Sequence, residues 1–479
     1  MLQKLFKDSI VYGGSDFVLK LIAFFTFPIL AATLSIQAFG ALELIGTVIA
    51  LTGFFSRCGL NNAVQRFYWD EDSLKQQKDI ISTGLITLLV FSCMMALIGV
   101  ISIPFLTNLV FDAGLPIGEV ALYSVVGLIL FSQSQQYMLD TLRLHFSPWK
   151  YFGFSLLTRI FITFAGLYAV VILNKGVDGF LLAQVIVSVL IFPIGLLFIK
   201  KDITFKINWK WAKTLLKFGS PFIFVDMAYW LFGSMDRWML ASMTTVDDVG
   251  IYSVASRFSM IVLFVSTAFG MAWSPYAIKL KTDYPDNYQK MYSEILLMLI
   301  LLLIIVGGGV ALFSGEIISL LMPEEYKASI IPLIILCSGI VIQTTQQITA
   351  VGISIEKKTY LFARMAWITA IVNLAANYFL IPEFGVAGAA WATLLSYTIL
   401  TASYLFFTQR LHPIPIDYTR LFWLVILGVL VFVSAFTMSN YNLNIENVIY
   451  KILVFFILFL FSFFFTKMSV TKLSLLSNR

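Results

Sequence analysis

The chain has 479 residues, of which 59% are hydrophobic and 12% charged, with 45 Phe and a formal net charge of +6; its mean hydropathy is +0.91. That balance lies far from a soluble globular domain and defines a membrane protein, because apolar stretches of roughly 20 residues, enough to cross a bilayer, recur from end to end. The two histidines, His145 and His412, fall in short basic loops and the three cysteines (Cys58, Cys93, Cys337) lie in or beside apolar spans, so a metal-dependent or hydrolytic catalyst, a zinc site and a disulfide framework have almost nothing to build on.

The first apolar run follows Lys4 and Lys7 and has the outline of a signal peptide. Asp16 and Lys20 interrupt it and another span follows almost at once, so it reads as a first transmembrane helix over 8–33. Hydropathy then places spans at 39–60, 80–104, 118–140, 151–173, 178–199, 213–240, 249–275, 292–314, 328–350, 361–381, 386–407, 421–439 and 447–466, which makes about fourteen helices. Between the sixth and seventh, "KKDITFKINWKWAKTLLKFG" sets Lys206, Lys210, Lys213 and Lys217 at helical spacing opposite Trp211, Leu215 and Phe218. The pattern suits an amphipathic helix in the membrane interface, and a solvated basic linker is the plainer reading.

Charge checks the count, since Lys and Arg collect in alternate loops when the register is right. One side holds Arg66, Lys75 and Lys78, then Arg143 and Lys150, the linker lysines with Lys200 and Lys201, Lys279, Lys281 and Lys290, Lys357, Lys358 and Arg364, Arg410 and Arg420, and Lys467, Lys472 and Arg479. The other has Lys175, Lys327 and Lys451 beside the acids Asp112, Asp247, Asp248, Glu316, Glu324 and Glu325. Both termini are therefore expected in the cytoplasm. The basic balance is explained by orientation and anionic headgroups rather than by nucleic acid.

The two halves repeat at a shift of about 210 residues. "SQSQQY" meets "IQTTQQ", placing Gln133 over Gln343 and Gln136 over Gln346; Asp16 falls on Asp226 and Gly40 on Gly250; with one residue of slip, "GVDGFLLAQVIVS" lies on "GVAGAAWATLLS". Six spans per copy is an even number, so the repeat is parallel, about an axis along the membrane normal. The expected architecture is an all-α integral membrane protein: a six-helix bundle over 1–200, an amphipathic cytoplasmic linker over 201–218, a second six-helix bundle over 219–410, and two further helices over 411–479. A central cavity between the bundles is the natural consequence. Near the end of the repeat, Pro382 and Gly385 of "IPEFGVAGAAWATLLSY" turn the chain between spans eleven and twelve.

Three segments carry a family resemblance: "YGGSDFVLKLIAFFTFPILAATLSIQAFGALEL", "FGSPFIFVDMAYWLFGSMDRWMLASMTTVDDVGIYSVASRFS" and "NLAANYFLIPEFGVAGAAWATLLSY". With them nearly the whole chain resembles the Wzx-type polysaccharide-transport branch of the multidrug/oligosaccharidyl-lipid/polysaccharide exporter superfamily. The resemblance implies a flippase, not an enzyme. It would carry undecaprenyl-diphosphate-linked oligosaccharide, such as an O-antigen or other surface polysaccharide unit, across a bacterial inner membrane by alternating access. Its partners would be that lipid, the bilayer and the polysaccharide polymerase machinery. A cation-coupled multidrug exporter of the same superfamily, and a membrane glycan polymerase or ligase, are the alternatives; fourteen spans and cationic positions weigh against the first, short outer loops against the second.

Ionisable groups at membrane depth are costly and need a polar cavity or a partner. Lys20, Arg57, Arg159 and Arg257 are cations suited to a diphosphate, and Arg offers a fork matching phosphate oxygens. Alternatively they pair with Asp16, Asp226 or Asp236 and only hold helices together. Lys20 sits one turn from Asp16, and Arg57 is placed to snorkel. Gln133, Gln136, Gln343 and Gln346 offer donors and acceptors to sugar hydroxyls or bond helix to helix, as do Asn373 and Asn377. Asp16, Asp226 and Glu43 are carboxylates that could bind a coupling proton or Na⁺; no other cofactor is called for, and no GxxxxGK[ST] loop is present.

Overall fold

The structure, a computed structural model, describes residues 2–112, 114–204, 206–358, 360–439 and 445–477; Arg479 and the side chains of Lys4, Lys7 and Asp112 lie outside the described set. Every regular element in it is helical: α1 (Leu2–Thr33), α2 (Ile36–Arg57), α3 (Leu60–Tyr68), α4 (Leu74–Asp112), α5 (Glu119–Leu144), α6 (Pro148–Leu167), α7 (Gly176–Ile199), α8 (Trp209–Gly219), α9 (Pro221–Met243), α10 (Val246–Asp283), α11 (Tyr288–Leu312), α12 (Ser314–Leu321), α13 (Ile330–Thr344), α14 (Gln346–Thr349), α15 (Val351–Ile355), α16 (Tyr360–Leu411), α17 (Tyr418–Thr437) and α18 (Ile445–Ser477). Among the described residues eleven segments are long and apolar enough to span a membrane, or twelve if the bent pair α8–α9 is one span. The fourteen read from the sequence require two further steps: dividing α16 at its kink and admitting α5, whose Ser and Gln side chains dilute its apolarity. The chain is a multi-pass membrane protein, and it divides into two compact units, Met1–Ser234 and Met235–Arg479.

In the first unit Leu60, Ile81, Leu85, Tyr137, Phe154 and Leu215 belong to one buried core that joins α3 to α8. Two successive left-handed residues, Cys58 (φ 46°) and Gly59 (φ 64°), break α2 from α3. The α8–α9 break, bent by 41°, lies against them: a Cβ on Gly59 would strike the Gly219 carbonyl, and one on Gly219 the Cys58 carbonyl. Only glycine lets the two backbones approach so closely. The linker forms the expected helix, α8, capped by the Asn208 side chain. Part of its apolar face packs on protein, and Phe218 on the same face is exposed. Ala212 and Leu215 are buried, Trp211 and Leu216 pack on the core, and the segment ahead of the helix is fastened to α4 by Thr204 N–H to Ser82 Oγ (2.5 Å) and Asn208 N–H to Thr83 Oγ1 (3.1 Å).

In the second unit two ion pairs fix α17 and α18. Arg420 Nη1 donates to both Glu294 oxygens at 2.7 Å while its Nη2 donates to Ser469 Oγ. Lys451, fully buried, donates to Glu316 at 2.7 and 2.9 Å.

The repeat shows as matched local chemistry within each unit. Ser35 and Thr245 both cap the second helix of their half, each hydroxyl taking a backbone N–H three residues on at 3.2 Å. Gly176 (φ 56°) and Gly385 (φ 54°) both open the sixth with a positive φ, and Gly385 is the kink inside α16. The copies differ at their breaks. α10 runs on to Asp283 where its counterpart α2 stops at Arg57, and α5 is unbroken where α13 stops at Thr344 and gives way to α14 at Gln346.

Candidate functional site

At the end of the first unit where α2 and α5 finish and α6 begins, near the basic residues Arg66, Lys75, Lys78 and Lys150, polar side chains converge. α5 delivers Gln133, Gln136, Asp140 and Arg143, spaced three or four apart and so on one helical face. α3 delivers Asn61 because the Cys58–Gly59 break redirects the chain just before it. Asp140 is the hub: Oδ1 accepts from Gln136 Nε2 at 3.1 Å and Oδ2 from Asn61 Nδ2 at 3.0 Å. Its charge faces those of Arg143 and Arg57. Arg57 also faces Asp226, returns its Nε to the Gly53 carbonyl at 3.4 Å, and lies 5.3 Å from the Phe54 ring centre.

A second chain of bonds runs outward from Arg143. Its Nη2 donates to Tyr151 Oη (2.7 Å), which donates to Asp16 Oδ1 (3.1 Å), linking α5, α6 and α1. The guanidinium also stacks on the rings of Tyr151 and Tyr12, at 4.9 and 5.8 Å. Beside this network opens a cavity of about 460 Å³ lined by Tyr12, Asn61, Asn62, Trp69, Asp140, Arg143 and Phe146 among others. Among the described residues no group of three or more His, Cys, Asp or Glu could hold a metal ion. The carboxylates, amides and guanidiniums are largely partnered to each other, and together they present hydrogen-bond donors and acceptors at the cavity wall.

Of the residues singled out from the sequence, Arg57, Gln133, Gln136, Asp16 and Asp226 meet at this end of the first unit. Gln133 lies against Gly53, where a Cβ would strike its amide. Lys20 and Arg159 are exposed on α1 and α6, and Glu43 is half-buried on α2. Arg257 is half-buried on α10 in the second unit. There Gln346 donates to Thr401 Oγ1 (2.9 Å), joining α14 to α16; Asn373 donates to Ser396 Oγ (3.1 Å) across the α16 kink, and Asn377 to Asn373 Oδ1 (3.0 Å) within one helix; Gln343 is half-buried. Sequence reasoning missed Asn61, Asp140 and Arg143. The signal for Asp140 was its place one turn beyond Gln136 on the same face. It also missed a buried cluster in the second unit, where Tyr252 Oη donates to Asp236 and Arg237 lies 3.6 Å from Asp236 and 3.3 Å from Ser253 Oγ.

A chain of long apolar helices with half-buried ionisable and amide groups where they end is a polytopic membrane protein with a polar site. Solved structures agree on the fold: "Lipid II flippase MurJ, inward closed conformation" matches with a TM-score of 0.74 over 96% of this chain and 99% of that one at 15% identity. An inward-facing MATE multidrug transporter of the MOP superfamily matches at 0.63 over 84% and 94%, at 13% identity. The chain belongs to the family described as "Polysaccharide biosynthesis protein", whose profile matches residues 29–332. Among curated relatives, the "Probable low-salt glycan biosynthesis flippase Agl15" of Haloferax volcanii is 23% identical over 47% of this chain and 49% of its own length. "Probable flippase AglR" of the same organism is 25% identical over 48% and 49%. The chain thus spans about half the length of these relatives.

Proposed function

We propose that the protein is a transporter, not an enzyme: a flippase that moves a lipid-linked oligosaccharide, carried on undecaprenyl diphosphate, from the cytoplasmic to the outer leaflet of a bacterial inner membrane. The observation that carries this reading is the Arg57–Asp140–Asn61–Gln136 cluster beside a cavity, inside an apolar helical unit of a chain from the polysaccharide-biosynthesis family. Such groups are costly in a membrane protein and need a partner or a polar cavity, and here they have both. In this reading the charge rows put both termini in the cytoplasm, and alternating access exposes the site to each leaflet in turn. Lys20, Arg159 and Arg257 serve the diphosphate, Arg57 orders the Asp140 cluster, and Gln133, Gln136, Gln343 and Gln346 serve sugar hydroxyls. Asp16, Asp226 or Glu43 takes the coupling proton or Na⁺, and the product passes to polymerase machinery.

The test is export in a strain lacking the gene, complemented by variants with membrane insertion checked in parallel. Arg159→Ala and Arg257→Ala are each expected to lower surface glycan at least tenfold while lipid-linked precursor accumulates inside. Normal export by both variants ends the assignment of these cations to the substrate. Drug sensitivity with intact surface glycan in the deletion strain ends the flippase reading itself.

A further inference from the structure

The cavity at the basic end of the first unit contains more than the charge network uses. Its mouth carries Trp69 and Phe146, 56% and 52% exposed, with ring centres 5.7 Å apart and planes inclined at 47°. Tyr68 braces the Trp69 ring edge-on at 5.1 Å. Phe146 occupies the left-handed region, φ 49°, which a bulky residue enters only when its surroundings hold it there. That conformation ends α5, with Phe146 N–H on the Arg143 carbonyl at 3.0 Å and Ser147 N–H on the Leu142 carbonyl at 3.1 Å, and it sets the ring beside Trp69. Deeper in, the Asn61 amide gives one N–H to Asp140 while its Oδ1 is buried with no hydrogen-bond partner among the described residues. Asn62 and Arg143 complete the polar wall.

The charge at this place argues against an anionic ligand. Among the residues that line the cavity one guanidinium, Arg143, stands against one carboxylate, Asp140, so the wall itself carries no net positive charge. A phosphate entering would meet the Asp140 charge and would have to displace partners the Arg143 guanidinium already has. An uncharged polyol meets the opposite situation. Carboxylate and amide oxygens accept from its hydroxyls, the guanidinium and amide N–H groups donate to them, and flat aromatic faces cover the apolar C–H face of a sugar ring.

We propose that this cavity is a saccharide site: Trp69 and Phe146 pack on a pyranose ring, Asn61, Asn62, Asp140 and Arg143 bond its hydroxyls, and the ligand is the neutral glycan portion of the substrate rather than its diphosphate. The inference rests on the reading of the protein as a glycan carrier and separates the places where the two ends of that substrate are held. It also distinguishes Trp69 and Phe146 from interfacial anchors, which face headgroups and need no polar cavity behind them.

The test uses full-length protein in nanodiscs and, as probe, the oligosaccharide released by mild acid from the host's own lipid-linked precursors. Binding is measured by calorimetry, with inorganic pyrophosphate as competitor. The probe should bind; Trp69→Ala and Phe146→Ala should each weaken it at least tenfold, and Asp140→Asn by a similar factor. Trp69→Phe should stay within threefold of the parent, which separates stacking from misfolding, and saturating pyrophosphate should leave the affinity unchanged. No binding, displacement by pyrophosphate, or parent-like affinity in both alanine variants overturns the proposal. Its failure is distinguishable from failure of the carrier reading: a deletion strain that still exports glycan removes the latter, whereas blocked export with unchanged binding in the variants removes only the aromatic site.

Discussion

His412 is a loop residue by its place after the last span of the repeat, yet it is only 7% exposed. Its Nε2 meets Tyr288 Oη at 2.9 Å and its Nδ1 lies 3.5 Å from Glu356. Burial, and then the charge of Lys281, depress its pKa below the ordinary 6.5, against the opposing pull of Glu356. The imidazole is thus held neutral. In the unfolded chain it takes up a proton as pH falls through 6.5, whereas the folded chain resists until the lower value is reached. The unfolded state binds more protons between those points, so stability falls as pH drops below 6.5 and is level above it. A melting series in detergent from pH 8 to pH 5 should show this decline, and His412→Gln, which keeps a polar amide without a titrating ring, should flatten it. An equal decline in the glutamine variant would mean that other groups carry the effect.

At the scale of elements, the contact between the α2–α3 and α8–α9 breaks is the most demanding in the first unit. Gly219→Ala would place its Cβ on the Cys58 carbonyl, and since both sides are backbone neither can move aside cheaply. A loss of roughly 1–3 kcal/mol is expected, read as a lower melting temperature than that of Gly153→Ala, where a Cβ meets nothing within 4 Å. Equal melting temperatures would show that the two breaks are not locked together. The α8–α9 break is legible as Gly219-Ser220-Pro221, at the boundary read between 218 and 219, whereas the α2–α3 break is marked by Gly59 alone. Cys58 carries no turn signal, and α3 lies between the hydropathic spans because its polar residues lower the average. What was legible is what local chemistry dictates: the amphipathic pattern of α8, and the Pro382–Gly385 turn. The candidate site was half legible for the same reason. Gln133 and Gln136 stand out inside an apolar span, whereas Asp140 and Arg143 at its end look like ordinary loop charges. Asn61 reaches Asp140 from 79 positions away in sequence, through a break that hydropathy does not register.

At the scale of the whole molecule, α17 and α18 raise the question of what holds two extra helices to a chain whose repeat is complete without them. Leu424, Gly428, Val431 and Ala435 of α17 are buried, but lipid tails solvate apolar side chains as well as another helix does, so in a bilayer that burial is a weak reason to associate. Charge is a stronger one. Glu294 and Glu316 sit on α11 and α12, and their bonded cations, Arg420, Lys472 and Lys451, all come from α17 and α18. Removing the two helices leaves two largely buried carboxylates without those cations, and breaking a buried pair from one side costs about 3–5 kcal/mol. A chain ending at Ile416, which keeps His412 on Tyr288, should therefore fail to accumulate as a monodisperse species. The same truncation carrying Glu294→Gln and Glu316→Gln should recover, because the charges that needed α17 and α18 are gone. Size-exclusion profiles of the two truncated chains decide it. If the glutamine pair gives no recovery, packing rather than charge attaches α17 and α18.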